Sequence, residues 1–437
     1  MKLDDAFELK RSVEKAFGKP VQKQEEVAQL KEDIFSTTNK TIGFNTLRRF
    51  FDFLPKTAPS IKTLNTLSNY AGYTNYTTFS KKTHINDAWF QWLHLHEIET
   101  KDTLNEEDIR FLLHLKTHNK EYDLYLISLL KSYVMRRNFT ALYDLFSINE
   151  LFTLPINKLL KIANITGLLL RNIPLEDLPA AIKLAETKLF RETVIYFMID
   201  YSNLYGHYGA FLQAAIQHEV KEEHQLFLKL ITSYALFLKG KKIKSILYNA
   251  IPTTFFPALQ GRYFAHQILT SSTSKQEEII KFCLSTGIHK NDIVMFFLEI
   301  IPALIIKKRI DLIALILETN YEDLFNLYDW NLKNCENIYL ISETLVAIKE
   351  GNYLKAKNHL AFVDEEKSIY DYKEYFHVFY LIANYHIVKN TSKTSTETQS
   401  IALEFTALIK KLGFHYFNVA FLKTYFDNTP TTGATAT

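Results

Sequence analysis

The sequence predicts an all-α protein, a small helix-turn-helix-like head followed by an α-solenoid of paired helices. Three observations predict it. Turn formers are scarce, with twelve glycines and ten prolines in 437 residues, whereas sandwiches, barrels and doubly wound sheets need them at many short connections. Apolar residues recur at helical spacing, and 33 Phe and 25 Tyr supply material for a large core. Beyond residue 105, junctions between helical segments recur about every 34 residues. The length exceeds one ordinary compact domain, so two units or an extended array are expected.

Asp5 to Phe17 and Glu25 to Thr37 read as two helices, the second with Val27, Leu30, Ile34 and Phe35 at helical spacing. Asn39 to Gly43 reads as a turn that uses one of the few glycines. Phe44 to Phe51 follows as a short helix. Phe44, Leu47 and Phe51 share one face, and Asn45, Arg48 and Arg49 project from the others. After a loop from Leu54 to Pro59, Ser60 is an N-cap opening a helix with Leu64, Leu67 and Tyr70 inward. Gly72 ends it, and Asn75 to Lys82 is one more short amphipathic helix. These elements define a head over residues 1–82. A connector over 83–104 leads to the array over 105–426, and a Thr-rich tail over 427–437 is expected to be disordered.

Net charge is only +3, but its distribution is uneven. Between residues 41 and 82 the basic residues are Arg48, Arg49, Lys56, Lys62, Lys81 and Lys82, against the single acid Asp52. From 83 to 110 acids predominate, with Asp87, Glu97, Glu99, Asp102 and the Glu106–Asp108 run. A local basic face suits a polyanion, because each Lys or Arg near a phosphate displaces a condensed counterion. A solvated face with clustered charge is the plainer reading.

A turn followed by a short helix bearing Asn, Thr and two arginines has the outline of a helix placed in a DNA major groove. The run Asn45-Thr46-Leu47-Arg48-Arg49-Phe50, with Ala58-Pro59-Ser60, Thr63-Leu64, Leu67-Ser68 and Gly72-Tyr73, resembles the lambda-repressor-like (Xre-type) helix-turn-helix. The resemblance covers about 40 residues. It makes Phe44–Phe51 the recognition helix and implies that Asn45, Thr46, Arg48 and Arg49 contact bases or phosphates of double-stranded DNA. Lys56, Ser60 and Lys62 would sit at the backbone-contacting loop and helix start. Two features depart from the family pattern. No Gln-initiated helix with an inner Ala is evident between Glu25 and Thr37, and Phe51-Asp52-Phe53-Leu54 replaces the usual Glu-x-Gly.

Junctions in the array fall at Arg137-Asn138, Arg171-Asn172, Tyr205-Gly206, Lys239-Gly240, Thr273-Ser274 and Lys307-Lys308, then at Gly351-Asn352 and Lys389-Asn390. The segment Ala347-Ile348-Lys349-Glu350-Gly351-Asn352-Tyr353-Leu354-Lys355-Ala356 resembles a tetratricopeptide helix junction, with small Ala356 letting two helices approach. Such an array offers a concave groove for a peptide or protein. Tyr201, Tyr205, Tyr208, Tyr234, Tyr263, Tyr321, Tyr339 and Tyr353 either line it or, more commonly for aromatics at this spacing, form core. Regulators of this layout, by the same resemblance, form a homodimer through the array.

No motif points to an enzyme, a cofactor or a metal. Gly240-Lys241 lacks the partner glycine of a phosphate loop. His94 and His96 lie two apart on a helix and face different ways. Glu99-Thr100-Lys101 sits in a charged helix end without the strand that nuclease chemistry uses. Trp89 or Trp92 is expected to pack the head against the first repeat. Two cysteines, a charged N-terminus and an apolar stretch of only 13 residues (Val294 to Ile306) fit a cytoplasmic protein outside the membrane. Two readings follow. One is a DNA-binding transcriptional regulator whose repeat body senses or docks a peptide or protein. The other is a non-enzymatic interaction scaffold whose head docks a protein.

Overall fold

The computed structural model describes residues 3–55, 57–83, 88–248, 257–287, 293–325, 332–364, 370–392 and 395–427, and among these it is all-α, without a strand. Contacts divide the chain into two compact units, Met1–Thr100 and Lys101–Thr437. Apart from Asp427, the tail assigned to 427–437 lies outside the described residues.

The first unit contains α1 (Leu3–Phe17), α2 (Gln24–Thr38), α3 (Phe44–Phe50), α4 (Ile61–Tyr70), α5 (Tyr76–Thr83) and α6 (Ala88–Glu99). The unit thus takes in a helix, α6, from the stretch read as connector. Its core joins Leu9 and Val13 of α1, Val27, Leu30 and Ile34 of α2, and Leu47 and Phe50 of α3 to Leu64, Leu67 and Phe79. Phe50 rather than Phe44 completes the buried face of α3, while Phe44 is half-buried. The left-handed residue after α2 is Asn39 at φ 53°, whereas Gly43, at φ −62°, has an ordinary extended backbone. Asp52 does the same job after α3, at φ 67°. The Phe53 N–H then donates to the Arg48 carbonyl at 2.8 Å, a Schellman closure. Ser60 caps α4 as expected, its Oγ accepting from the Thr63 N–H at 3.2 Å. Trp89 and Trp92 are both close to half exposed.

The second unit begins with α7 (Glu106–His118), α8 (Tyr122–Met135), α9 (Phe139–Phe146) and α10 (Ile156–Arg171). From 172 to 206 the chain breaks into short pieces: α11 (Leu178–Ala181), α12 (Lys188–Phe190), a π turn at Arg191–Ile195 and 3-10 turns. Longer helices resume with α13 (His207–His218), α14 (Glu222–Leu238), α15 (Pro257–Thr270), α16 (Thr273–Ser285), α17 (Ile293–Ile306) and α18 (Ile310–Phe325). The unit ends with α19 (Leu332–Lys349), α20 (Tyr353–Ala361), α21 (Tyr370–Thr391), α22 (Ser395–Leu412) and α23 (Val419–Lys423).

Four junctions share one turn. Arg137, Gly240, Lys308 and Gly351 are all left-handed, and in each the next N–H reaches back five residues to a carbonyl at 2.9 to 3.0 Å. Asn138 and Asn352 then cap the following helix, accepting from Ala141 and Lys355. Ala356 is fully buried in the α19–α20 pair, as its small size anticipates. Two expected junctions are displaced by a few residues: Thr273-Ser274 opens α16, and Lys389-Asn390 lies inside α21, which runs unbroken to Thr391. Polar residues there occupy the last turn of a helix whose apolar run carries it past them.

Alternate helices stack, α8 on α10, α15 on α17, α17 on α19 and α19 on α21, the neighbour packing that a repeat array requires. A second set of contacts is not between neighbours. The Tyr201 ring stacks on Tyr375 with centroids 5.0 Å apart, and Ser202 Oγ donates to the Asp371 carbonyl at 2.9 Å. The Tyr416 N–H donates to the Leu238 carbonyl at 2.8 Å. The C-terminal helices therefore return to the middle of the chain. Tyr201, Tyr208, Tyr234 and Tyr339 are core residues; Tyr205, Tyr263 and Tyr353 are half-buried, and the Tyr321 side chain lies outside the described residues.

Every residue of α17 is buried, Glu299 included. Its carboxylate accepts from Tyr201 Oη at 2.6 Å and pairs with fully buried Arg262 at 3.2 Å. Arg262 also lies over the Tyr234 ring, 4.2 Å from its centroid. Gly261 permits this approach of α15 to α17, since a Cβ there would stand 2.9 Å from that of Glu299.

Candidate nucleic-acid interface

Asn45, Arg48 and Arg49 occupy positions i, i+3 and i+4 of α3 and so share a face. Asn45 and Arg49 are exposed, and Arg48 and Thr46 are half-buried. Arg48 Nη1 donates to Asn45 Oδ1 at 3.3 Å, and its guanidinium lies 5.7 Å from the Phe44 ring centroid. The pair is thereby held against the helix. Both arginines lie in the last turn, where the negative end of the helix dipole favours cations.

Among the described residues Arg48, Arg49 and Lys62 make no ion pair with a carboxylate. Asp52, the one acid between residues 41 and 82, is taken by Lys10 of α1. The positive balance on α3 is therefore not cancelled from within its own segment. Ser60 is exposed, but its hydroxyl is committed to the cap, 3.0 Å from Thr63 Oγ1 as well. Lys62 is exposed in the first turn of α4, and Lys56 lies outside the described residues. Asn45 and Arg48 are thus brought together on α3, and Ser60 and Lys62 at the start of α4.

Sequence reasoning missed the Lys10–Asp52 tie, which links positions 42 apart, and the Asp33 carboxylate that accepts from Tyr70 Oη. No local signal marks either. It also missed the buried charges of the second unit. Arg191 pairs with Glu219 at 3.1 Å beside the π turn, and Arg171 with Asp200 at 3.1 Å. Burial pushes the Asp371 carboxyl up to about 7 and the Cys283 thiol up to about 12. Among the described residues no group of three or more His, Cys, Asp or Glu could hold a metal ion. A guanidinium and an amide on one helical face can hydrogen-bond phosphate oxygens and purine edges. Comparison with family models, with curated proteins and with solved structures finds no match to the chain.

Proposed function

We propose that the chain is a DNA-binding transcriptional regulator whose head places α3 against double-stranded DNA while the second unit docks a peptide or protein. One observation carries the DNA reading: Asn45, Arg48 and Arg49 share a face of α3, and Asp52, the one acid between residues 41 and 82, pairs with Lys10. The Xre-type resemblance of the same residues supports it, and the tetratricopeptide-like junction at Gly351-Asn352 supports the docking role. A homodimer would set two heads on half-sites about 34 Å apart. A reducing cytoplasm fits a chain with only two cysteines, both buried, and no described helix is long and apolar enough to cross a membrane.

The test is duplex binding by the full chain, read by fluorescence anisotropy across a salt series. Arg48→Ala with Arg49→Ala should weaken binding and reduce the slope of log affinity against log salt by about 2. A slope that stays the same removes α3 from the interface. The alternative, a head that docks a protein, is favoured by Ile61, which is 62% exposed beside Lys62. It predicts no salt-sensitive duplex affinity and loss of a protein partner on Ile61→Glu.

A further inference from the structure

The chain reverses after α14 and leaves a groove of about 520 Å³ against that helix. Gln225, Lys229, Thr232 and Leu236 of α14 line it, with Ile216 of α13 and Ile246 of the returning segment. Leu236 and Ile216 are nearly half exposed, and Leu247 is 79% exposed. The opposite face of α14, with Phe227, Ile231 and Tyr234, is buried core.

The groove stays open because its wall is held from behind. Gly240 turns the chain at φ 77°, with the Lys241 N–H donating to the Leu236 carbonyl at 3.0 Å. Residues 241–248 then run without helix, fastened to α15. Gln267 Nε2 donates to the Ile246 carbonyl at 2.7 Å, and His266 Nε2 lies 3.1 Å from the Lys244 carbonyl and 3.2 Å from the Ile246 nitrogen. A helix continuing in register would fill the space instead.

The charges around the groove are mostly positive, although Glu222 at the start of α14 accepts a hydrogen bond from Tyr248 at the end of the returning segment. Lys229 lines it, and exposed Lys241, Lys242 and Lys244 lie on the segment that forms its wall. None of the four makes an ion pair among the described residues, and no carboxylate is among the described residues that line the groove. We propose that this groove docks an acidic peptide segment of a partner protein, anchored by apolar side chains and fenced by these lysines. The proposal rests on the docking role of the second unit and gives that role an address and a partner chemistry. A nucleic acid would use the lysines and leave the apolar lining wet, so apolar anchoring separates the two.

A displayed library of random peptides, panned on the full-length chain, tests this. Enriched sequences should combine acidic residues with apolar pairs. Synthesised with a fluorophore, they should bind the native chain and weaken at least about tenfold on Leu236→Arg and on Lys241→Glu with Lys244→Glu. These positions are exposed, and circular dichroism should show unchanged helix content. Arg48→Ala with Arg49→Ala should leave peptide binding intact. Peptides without acidic bias, or binding retained in both groove variants, overturn the groove while the docking role stands. If no peptide is enriched, the docking role falls with it. Self-association abolished by Leu236→Arg, read by sedimentation, would assign the groove to a second copy and overturn the peptide.

Discussion

The two units handle charge in opposite ways. The first packs an uncharged core of Leu, Val, Ile and Phe and leaves its cations outside, with Arg49 and Lys62 exposed. The second buries Arg191, Arg262, Glu219, Glu299, Asp200 and Asp371, and pairs most of them with an opposite charge, Arg191 with Glu219, Arg262 with Glu299 and Asp200 with Arg171. Charge used internally is lost to a partner but fixes which helices meet. Charge kept at the surface fixes little of the fold and is available for binding. Substitutions of the same type should therefore have different consequences in the two units.

The largest effect is expected where a buried pair is broken on one side. Glu299→Leu strands the Arg262 guanidinium and should cost the second unit about 3 to 5 kcal/mol, measured by calorimetric or denaturant unfolding. Adding Arg262→Met should recover much of that loss, because no buried charge is then left unpaired, only the Tyr201 hydroxyl. A double variant as unstable as the single would break the comparison.

Asp371 gives the next largest effect. Burial raises its carboxyl to about 7 from an unfolded value near 4. A raised folded value means full stability below about pH 4, lost progressively as pH rises toward 7. Asp371→Asn should leave stability near pH 4 unchanged and raise it at pH 8 by roughly 2 to 4 kcal/mol. Equal stability of the two chains at both pH values would remove the cost of burying this charge. The smallest effect belongs to the first unit. Ser60→Ala deletes the cap of α4 and should cost about 1 kcal/mol, read as a lower melting temperature of the head with little change in the second unit.

The first unit was readable because its signals are local. Ser60 after Pro59, Gly72 after Tyr70 and the spacing of Val27, Leu30 and Ile34 place helices within a residue or two of where they lie. Left-handed helix ends were harder to find. The scarcity of glycine that pointed to helices also hides where they stop, since Asn39, Asp52, Arg137 and Lys308 do what glycine usually does. A non-glycine in that conformation costs roughly 1 to 2 kcal/mol, which the packed helices on either side must offset. The buried pairs were not readable at all. Arg262 and Glu299 lie on different helices, and Tyr201 meets Glu299 across 98 positions. Only the folded chain makes them neighbours.

The return of α21 to Tyr201 and Tyr234 has a consequence for synthesis. Translation delivers the middle of the chain long before the residues that cover it, so a growing polypeptide presents a ring-rich, half-finished surface for many seconds at the ribosome. Folding of the second unit must wait for its last fifth or so, and contacts of such wide separation form slowly. A premature stop codon between Tyr201 and Tyr370 should accordingly yield a product bound by chaperones or degraded, rather than a shorter functional protein.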